Sequence, residues 1–429
     1  MNLSLRQLFA AVTAAPASAP AMTMRTARNG EKVGLLGYGC MRLPTVDGGH
    51  ANPWGDKASK TEIDQEMVNA HVDYALAHGV NYFDTSPAYC RGESERVIGA
   101  ALKRHPRERY YLATKMSNFS ALQFSAEASM ALFEKSLREL QTDYIDFYLL
   151  HSVGNGGMKT FRKRYVDNGM IPWLVEQKRR GRIRNLGWSY HGDPETVDWL
   201  LERHDKGEYR WDFVQIQMNY VDWRHAQEVN KRNLDAEYLY RELARRDIPV
   251  VVMEPLLGGR LARHNDALAS ELTPLDPEAT LASWALRFCG SFPKVLTVLS
   301  GMTFKEHLEE NVATFSPLKP LTKRELLALE RAACAYLGSG AIPCNSCDYC
   351  MPCPYGLDIP ALLTFMNCVR AEKLTDPKAI RRAYAAAVPD PRRRADRCIG
   401  CRRCVPHCPQ QIDIPKVLDG IAVFVEDFA

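Results

Sequence analysis

Between residues 33 and 301 two hydrophobic patterns alternate along the chain. Short apolar runs of strand length, rich in Val, Leu, Ile, Tyr and Phe, are separated by longer segments with apolar residues at helical spacing. The runs predict strands over 35–43 (LLGYGCMRL), 80–86 (VNYFDTS), 109–115 (RYYLATK), 144–151 (YIDFYLLH), 182–190 (RIRNLGWSY), 213–220 (FVQIQMNY), 249–255 (PVVVMEP) and 295–301 (VLTVLSG). The amphipathic segments predict helices over 61–78, 94–105, 126–140, 171–180, 234–246 and 278–289. Strands alternating with helices argue for a parallel sheet, because parallel neighbours need a crossover between them. Eight such units argue for closure into a (β/α)8 TIM barrel. The competing arrangement is an open doubly wound sheet, which carries a glycine-rich turn after its first strand. Gly37-Tyr38-Gly39 has neither the spacing nor the following helix of such a turn. Ahead of the first strand, TMRTARNGEKVGLL (23–36) reads as a hairpin with Asn29-Gly30 at its turn.

The pattern changes after Asn311. SPLKPLT (316–322) marks a boundary, a helix is expected near 322–336, and a cysteine-rich region follows. CPYGLDIP (353–360) and CPQQIDIP (408–415) repeat one phrase, each after three cysteines at C-x2-C-x2-C and each before a helical pattern. Asp358 and Asp413 are expected N-caps, with Pro360 and Pro415 in the first turn. The domains expected are a leader (1–22), a barrel (23–315), a linker with a connecting helix (316–343) and a small, mainly helical domain (344–429) with a helical insert at 361–397.

Composition narrows the function classes. The 429 residues are 46% hydrophobic and 25% charged, ordinary for a globular chain and unlike a disordered or collagen-like one. The net charge of +4 is thinly spread. Its basic clusters, RKR (162–164) and KRRGRIR (178–184), read as solvated helix ends or loops and not as a nucleic-acid surface. No apolar run is long enough to span a bilayer. The leader reads as an Ala/Pro-rich disordered segment, with a degenerate secretory signal ending near Ala17-Ser18-Ala19 as the alternative. A cytoplasmic location is therefore expected, and export if residues 1–20 act as that signal. Five of the 13 cysteines are scattered and eight fall into two tight groups, which suits a reducing compartment and metal ligation.

Each group offers Cys at i, i+3 and i+6, then Cys-Pro. That spacing wraps a loop around an iron–sulfur cubane, and the fourth cysteine, at the start of a helix, turns to the other cluster. One 4Fe–4S cluster is thus expected on Cys344, Cys347, Cys350 and Cys408, and a second on Cys398, Cys401, Cys404 and Cys353. Structural zinc is the competing assignment, but zinc favours separated C-x2-C pairs. The duplicated unit resembles a two-cluster ferredoxin, one residue short before Cys353.

In the barrel region, polar residues gather at the C-terminal ends of strands, where such barrels place their active sites. Asp84 and Tyr89 follow the second strand, Lys115 ends the third and His151 ends the fourth. Reducing a carbonyl with a hydride requires a proton for the nascent alkoxide. Tyr89, with an ordinary pKa of about 10, would be eased by a buried Lys115 ammonium that Asp84 keeps charged. His151 would orient the substrate oxygen.

The four residues, in the contexts FDTSPAY, ATK and LLH, resemble the catalytic tetrad of the aldo/keto reductase family over about residues 30–315. The resemblance extends to a bacterial group with C-terminal 4Fe–4S domains. It implies a nicotinamide pocket at Ser189, Gln215 and Met253, the last where the family usually stacks an aromatic, and Tyr190 where many members carry Asn. It also implies an adenosine-phosphate loop at Gly301 and Asn311, with Thr303 where an arginine is frequent and His307 nearby. The cofactors implied are NADP or NAD with two 4Fe–4S clusters; the partners are a small carbonyl or alcohol and a redox protein. The expected activity is hydride exchange between NAD(P)H and that substrate, with clusters passing single electrons. The alternative is a ferredoxin-linked electron-transfer protein whose barrel is a docking scaffold. A third reading makes the clusters structural staples.

Overall fold

The computed structural model describes residues 21–51, 62–338, 340–344, 346–372, 374–408 and 410–427. Residues 1–20 of the expected leader, Thr61 at the start of the first expected helix, and Pro409 of the repeat lie outside them.

Strands β1 (Met24–Thr26) and β2 (Lys32–Gly34) form the expected antiparallel hairpin. Gly30 takes φ +89° at its turn, a conformation in which a Cβ is strained. Ala27 and Val33 from this hairpin pack with Tyr82, Phe147, Phe213 and Val251, filling one end of the barrel with apolar side chains.

Eight parallel strands close the barrel: β3 (Leu36–Gly39), β4 (Tyr82–Asp84), β5 (Tyr111–Met116), β6 (Ile145–Val153), β7 (Ile183–Tyr190), β8 (Phe213–Gln217), β9 (Val250–Met253) and β10 (Val295–Ser300). Their order is β10-β3-β4-β5-β6-β7-β8-β9, and every strand pair is parallel. β3 and β4 end earlier than their apolar runs. Cys40 N already donates to Asp84 O and Thr85 N to Ala113 O as the chain turns away, so Asp84 stands at the rim.

The six expected helices are present as Gln65–Ala77, Ser94–Leu102, Ala126–Glu139, Met170–Arg179, Ala236–Arg245 and Leu281–Gly290. The first begins at Gln65 because Asp64 caps it, accepting from Met67 N at 2.9 Å. Pro194–Asp205, Asp222–Val229 and Asp266–Leu272 are further helices that the apolar spacing did not reveal. The first of these has readable start signals, Asp193 as cap and Pro194 in its first turn.

The helix Lys323–Gly338 lies against the barrel and buries Ala328, Leu329, Ala332, Ala333 and Tyr336 in the barrel's own core. The chain then enters a second core built from Leu362, Phe365, Ile380, Leu418 and Ile421. Its helices are Ile359–Ala371, Pro377–Ala387 and Ile414–Glu426, the first two falling largely within the expected insert. Asp358 caps the first, accepting from Ala361 N at 3.3 Å. Asp413 makes no such bond; its carboxylate meets Arg402 at 3.1 Å, an ion pair competing for the capping oxygen. Two arginines fasten this module to the strand ends. Arg42, beyond β3, donates to Ser346 O at 3.1 Å, and Arg260, beyond β9, donates to Ile342 O at 2.9 Å.

Candidate active site and cluster loops

The four tetrad candidates meet at the rim of β4, β5 and β6. Lys115 Nζ donates to Asp84 Oδ1 at 2.6 Å and to Thr85 O at 2.8 Å, with the two side chains almost wholly buried. Burial pushes Asp84 up and Lys115 down, and each charge opposes the other's shift. Asp84 Oδ2 has no hydrogen-bond partner among the described residues. The ammonium lies 4.7 Å from the centroid of the Tyr89 ring. Tyr89 and His151 meet edge to face with centroids 5.9 Å apart.

The phenol departs from expectation. Burial, followed by Asp84, Tyr349 and Glu254, holds Tyr89 well above 10, so the predicted lowering by Lys115 does not dominate. The ammonium lies against the ring, and desolvation outweighs it. Burial also drives His151 well below 6.5, helped by Lys115 and Arg164, so its imidazole is neutral at pH 7. Ser117 Oγ lies 2.6 Å from His151 Nδ1, and a hydroxyl donating there leaves the ring proton on Nε2.

Several supporting groups went unread in the sequence. Ser117 had a usable signal: two residues after Lys115, it follows directly on the end of β5, where the period of two keeps it on the side of Lys115. Arg164 had none, because it sits in the basic triplet 162–164 that reads as solvated. In fact it is 2% exposed. Its guanidinium donates to His151 O at 2.7 Å, Ser152 O at 3.3 Å and Asn118 O at 3.1 Å, while Tyr165 Oη donates to His151 O at 2.8 Å. β6 loses register between Leu150 and Val153, with Ser152 at φ +56°. This irregularity presents His151 at the rim, and Arg164 satisfies the carbonyls it frees.

A cavity of about 300 Å³ opens on this rim. Asp84, Tyr89, His151, Gln215, Met253 and Gly301 line it, whereas Lys115, Ser189 and Asn311 stand behind the wall. Gln215 Nε2 reaches Met253 Sδ at 3.5 Å, and its buried Oε1 has no partner, an acceptor free for a carboxamide N–H. Ser189 Oγ accepts from Ser152 N at 2.8 Å, which leaves its own proton to donate. Asn311 Nδ2 donates to Ser300 Oγ at 3.0 Å. Thr303 lines the cavity while its hydroxyl donates to Arg42 O at 2.9 Å.

The eight grouped cysteines separate into two neighbourhoods. The thiols of Cys347 and Cys350 are raised by burial and then by proximity to Cys344 and Cys408. Cys404 is pushed up to about 11, by burial and then by Cys353, Cys398 and Cys401. The two loops also share a backbone course. Ser346 and Asp348 in one match Gly400 and Arg402 in the other, all with positive φ, and Gly356 matches Gln411. Ser346 N donates toward Cys344 Sγ at 3.5 Å, curling the loop around its own sulfur. Desolvation and mutual repulsion disfavour thiolates within each group of four cysteines, a cost that a bound iron–sulfur cluster would offset by taking the sulfurs as thiolates.

Barrel, rim and loops define an oxidoreductase-type barrel with a fused iron–sulfur module. Residues 36–333 match the aldo/keto reductase family, and the chain belongs to it. Residues 343–412 match the 4Fe-4S dicluster domain. The chain is 28% identical to L-galactose dehydrogenase of Arabidopsis thaliana over 312 residues, covering 68% of this chain and 87% of that protein. It is 33% identical to a methylglyoxal reductase of Escherichia coli over 320 residues, covering 71% and 96%. An aldo-keto reductase of Bacillus halodurans in its holo form superposes with a TM-score of 0.57 at 26% identity, covering 72% of this chain and 96% of that one. No helix among the described residues is long and apolar enough to cross a membrane.

Proposed function

We propose that this chain is a nicotinamide-dependent carbonyl reductase whose module carries two 4Fe–4S clusters for electron transfer. The observation that carries the reading is the buried Lys115–Asp84 ion pair at 2.6 Å, set against the Tyr89 ring and beside His151 at one cavity. A bound NADPH or NADH supplies the hydride. Gln215 accepts from the carboxamide through its unpartnered Oε1, Ser189 assists, and Met253 flanks the ring. Gly301 and Asn311 serve the adenosine-phosphate end. His151 donates from Nε2 to the substrate oxygen and fixes its position. Tyr89, held protonated by burial, gives its phenolic proton to that oxygen as negative charge gathers there. Lys115 then stabilises the phenolate, and Asp84 keeps Lys115 charged. In the direction of alcohol oxidation the same groups receive the proton. The names of the relatives, a sugar dehydrogenase and a methylglyoxal reductase, support a small polar carbonyl or alcohol as substrate.

Cys344, Cys347, Cys350 and Cys408 hold one cluster, and Cys398, Cys401, Cys404 and Cys353 the other, passing single electrons to a redox partner protein. Glu254 favours a second reading. It lines the same cavity as Met253 and Gly301, burial raises its carboxyl, and Oε2 has no partner. The nicotinamide contacts leave that buried acceptor unsatisfied, as expected of a barrel that docks a partner and reacts through its clusters alone.

Anaerobic purification with iron and sulfide analysis, then NADPH oxidation with methylglyoxal, tests both. The reductase reading expects Tyr89→Phe to lower turnover by roughly a hundredfold or more; undiminished turnover overturns the tetrad. Failure of either nicotinamide to quench protein fluorescence, with clusters that still reduce, selects the second reading.

A further inference from the structure

The loop that holds the first cysteine group is part of the catalytic cavity. Ser346, Cys347 and Tyr349 line that cavity together with Asp84, Tyr89 and His151. Gln410, two residues beyond Cys408, joins them; it is 4% exposed and its amide oxygen has no partner among the described residues. Tyr349 lines the same cavity as Tyr89. Arg42 holds the loop in place through Ser346 O. A second cavity of about 950 Å³ adjoins the first, since His50, Arg263 and Ser346 line both. Cys353, Phe365 and Ala383 of the module form part of its wall, so the two cavities lie side by side where the module meets the barrel.

We propose that the cluster loop is the specificity lid of the catalytic site. Tyr349 and Gln410 contact the substrate held by His151 and Tyr89 and select short hydroxylated aldehydes and ketones, and Cys347, as a ligand, would bring the cluster it holds to the same cavity. This rests on the reductase reading of the cavity. The Gln410 oxygen is satisfied by a substrate hydroxyl and left bare by an alkyl chain. An unpaired buried amide weakens binding on the order of tenfold to a hundredfold, which is the discrimination the lid supplies.

The test uses anaerobically reconstituted holoprotein. The ratio of kcat/KM for DL-glyceraldehyde to that for hexanal is measured with NADPH in wild type, Gln410→Ala and Tyr349→Ala. In parallel, the EPR spectrum of protein reduced with titanium(III) citrate is recorded with and without DL-glyceraldehyde. The lid predicts a roughly tenfold fall in the ratio for each variant, and a wild-type signal shifted by the aldehyde but less so in Gln410→Ala. Iron is assayed in every variant, and the bulk-keeping Gln410→Leu and Tyr349→Phe replace any truncation that loses its cluster. Turnover with unchanged ratios and an indifferent signal overturns the lid and leaves the reductase standing. A responsive signal without turnover overturns the reductase reading and, with it, the selectivity assigned to the lid. Neither turnover nor response overturns both.

Discussion

Replacing Lys115 by Met keeps most of the side-chain volume and removes the ammonium from beneath the active site. Asp84 Oδ1 then loses its partner at 2.6 Å, and Oδ2 already has none, so a carboxylate only 3% exposed is stranded. Breaking one side of a buried ion pair costs about 3–5 kcal/mol, because the remaining charge is desolvated without compensation. The double variant Asp84→Asn/Lys115→Met leaves no charge to strand and should recover most of that loss, to within about 1–2 kcal/mol of wild type. Burial already raises Asp84, so its folded form holds a proton to higher pH than its unfolded form. The Lys115→Met penalty is therefore greatest at neutral pH and shrinks as the pH falls toward about 3.9, where protonated Asp84 carries no charge. All seven tryptophans lie before residue 285, so urea unfolding followed by their fluorescence reports the barrel and not the module. Turnover should be lost in both variants, since neither retains the ammonium. A single variant costing less than about 1 kcal/mol, or a double variant no more stable than the single one, refutes the account. Either result means that water reaches Asp84.

Two further predictions concern neighbouring parts of the fold. Glu95, whose Oε1 accepts from Thr114 Oγ1 at 2.5 Å, ties the helix after Tyr89 to the strand carrying Lys115; burial raises it to about 7. Its favourable contribution is complete below its unfolded value near 4.5 and is lost as the pH rises through about 7. Glu95→Gln should therefore gain about 3 kcal/mol in urea midpoint analysis at pH 8 relative to pH 4, and a pH-independent effect contradicts the assignment. Cys408→Ser should remove the cluster of the Cys344 loop and Cys353→Ser that of the Cys398 loop, each halving the iron; loss of the same EPR signal in both variants rules out the crossed ligation.

Periodicity determined much of this protein. Eight apolar runs separated by amphipathic segments are enough for a closed parallel barrel, because each strand buries both faces and each crossover needs a helix. The cysteine spacing was equally legible, since a cubane requires thiols at i, i+3 and i+6 whatever surrounds it. The tetrad candidates were legible because strand ends are where a barrel presents polar groups. What the sequence could not determine depends on which surfaces meet. Arg164 looks like any solvated basic residue until the bulge in β6 frees carbonyls for it to satisfy. The pKa of Tyr89 turns on a balance between desolvation and a nearby cation, and local sequence contains neither burial nor distance. Tyr349 and Gln410 lie some 260 and 320 residues beyond Tyr89. Packing of the module onto the barrel rim, through Arg42 and Arg260, brings them to one cavity, a contact between distant surfaces that no local pattern encodes.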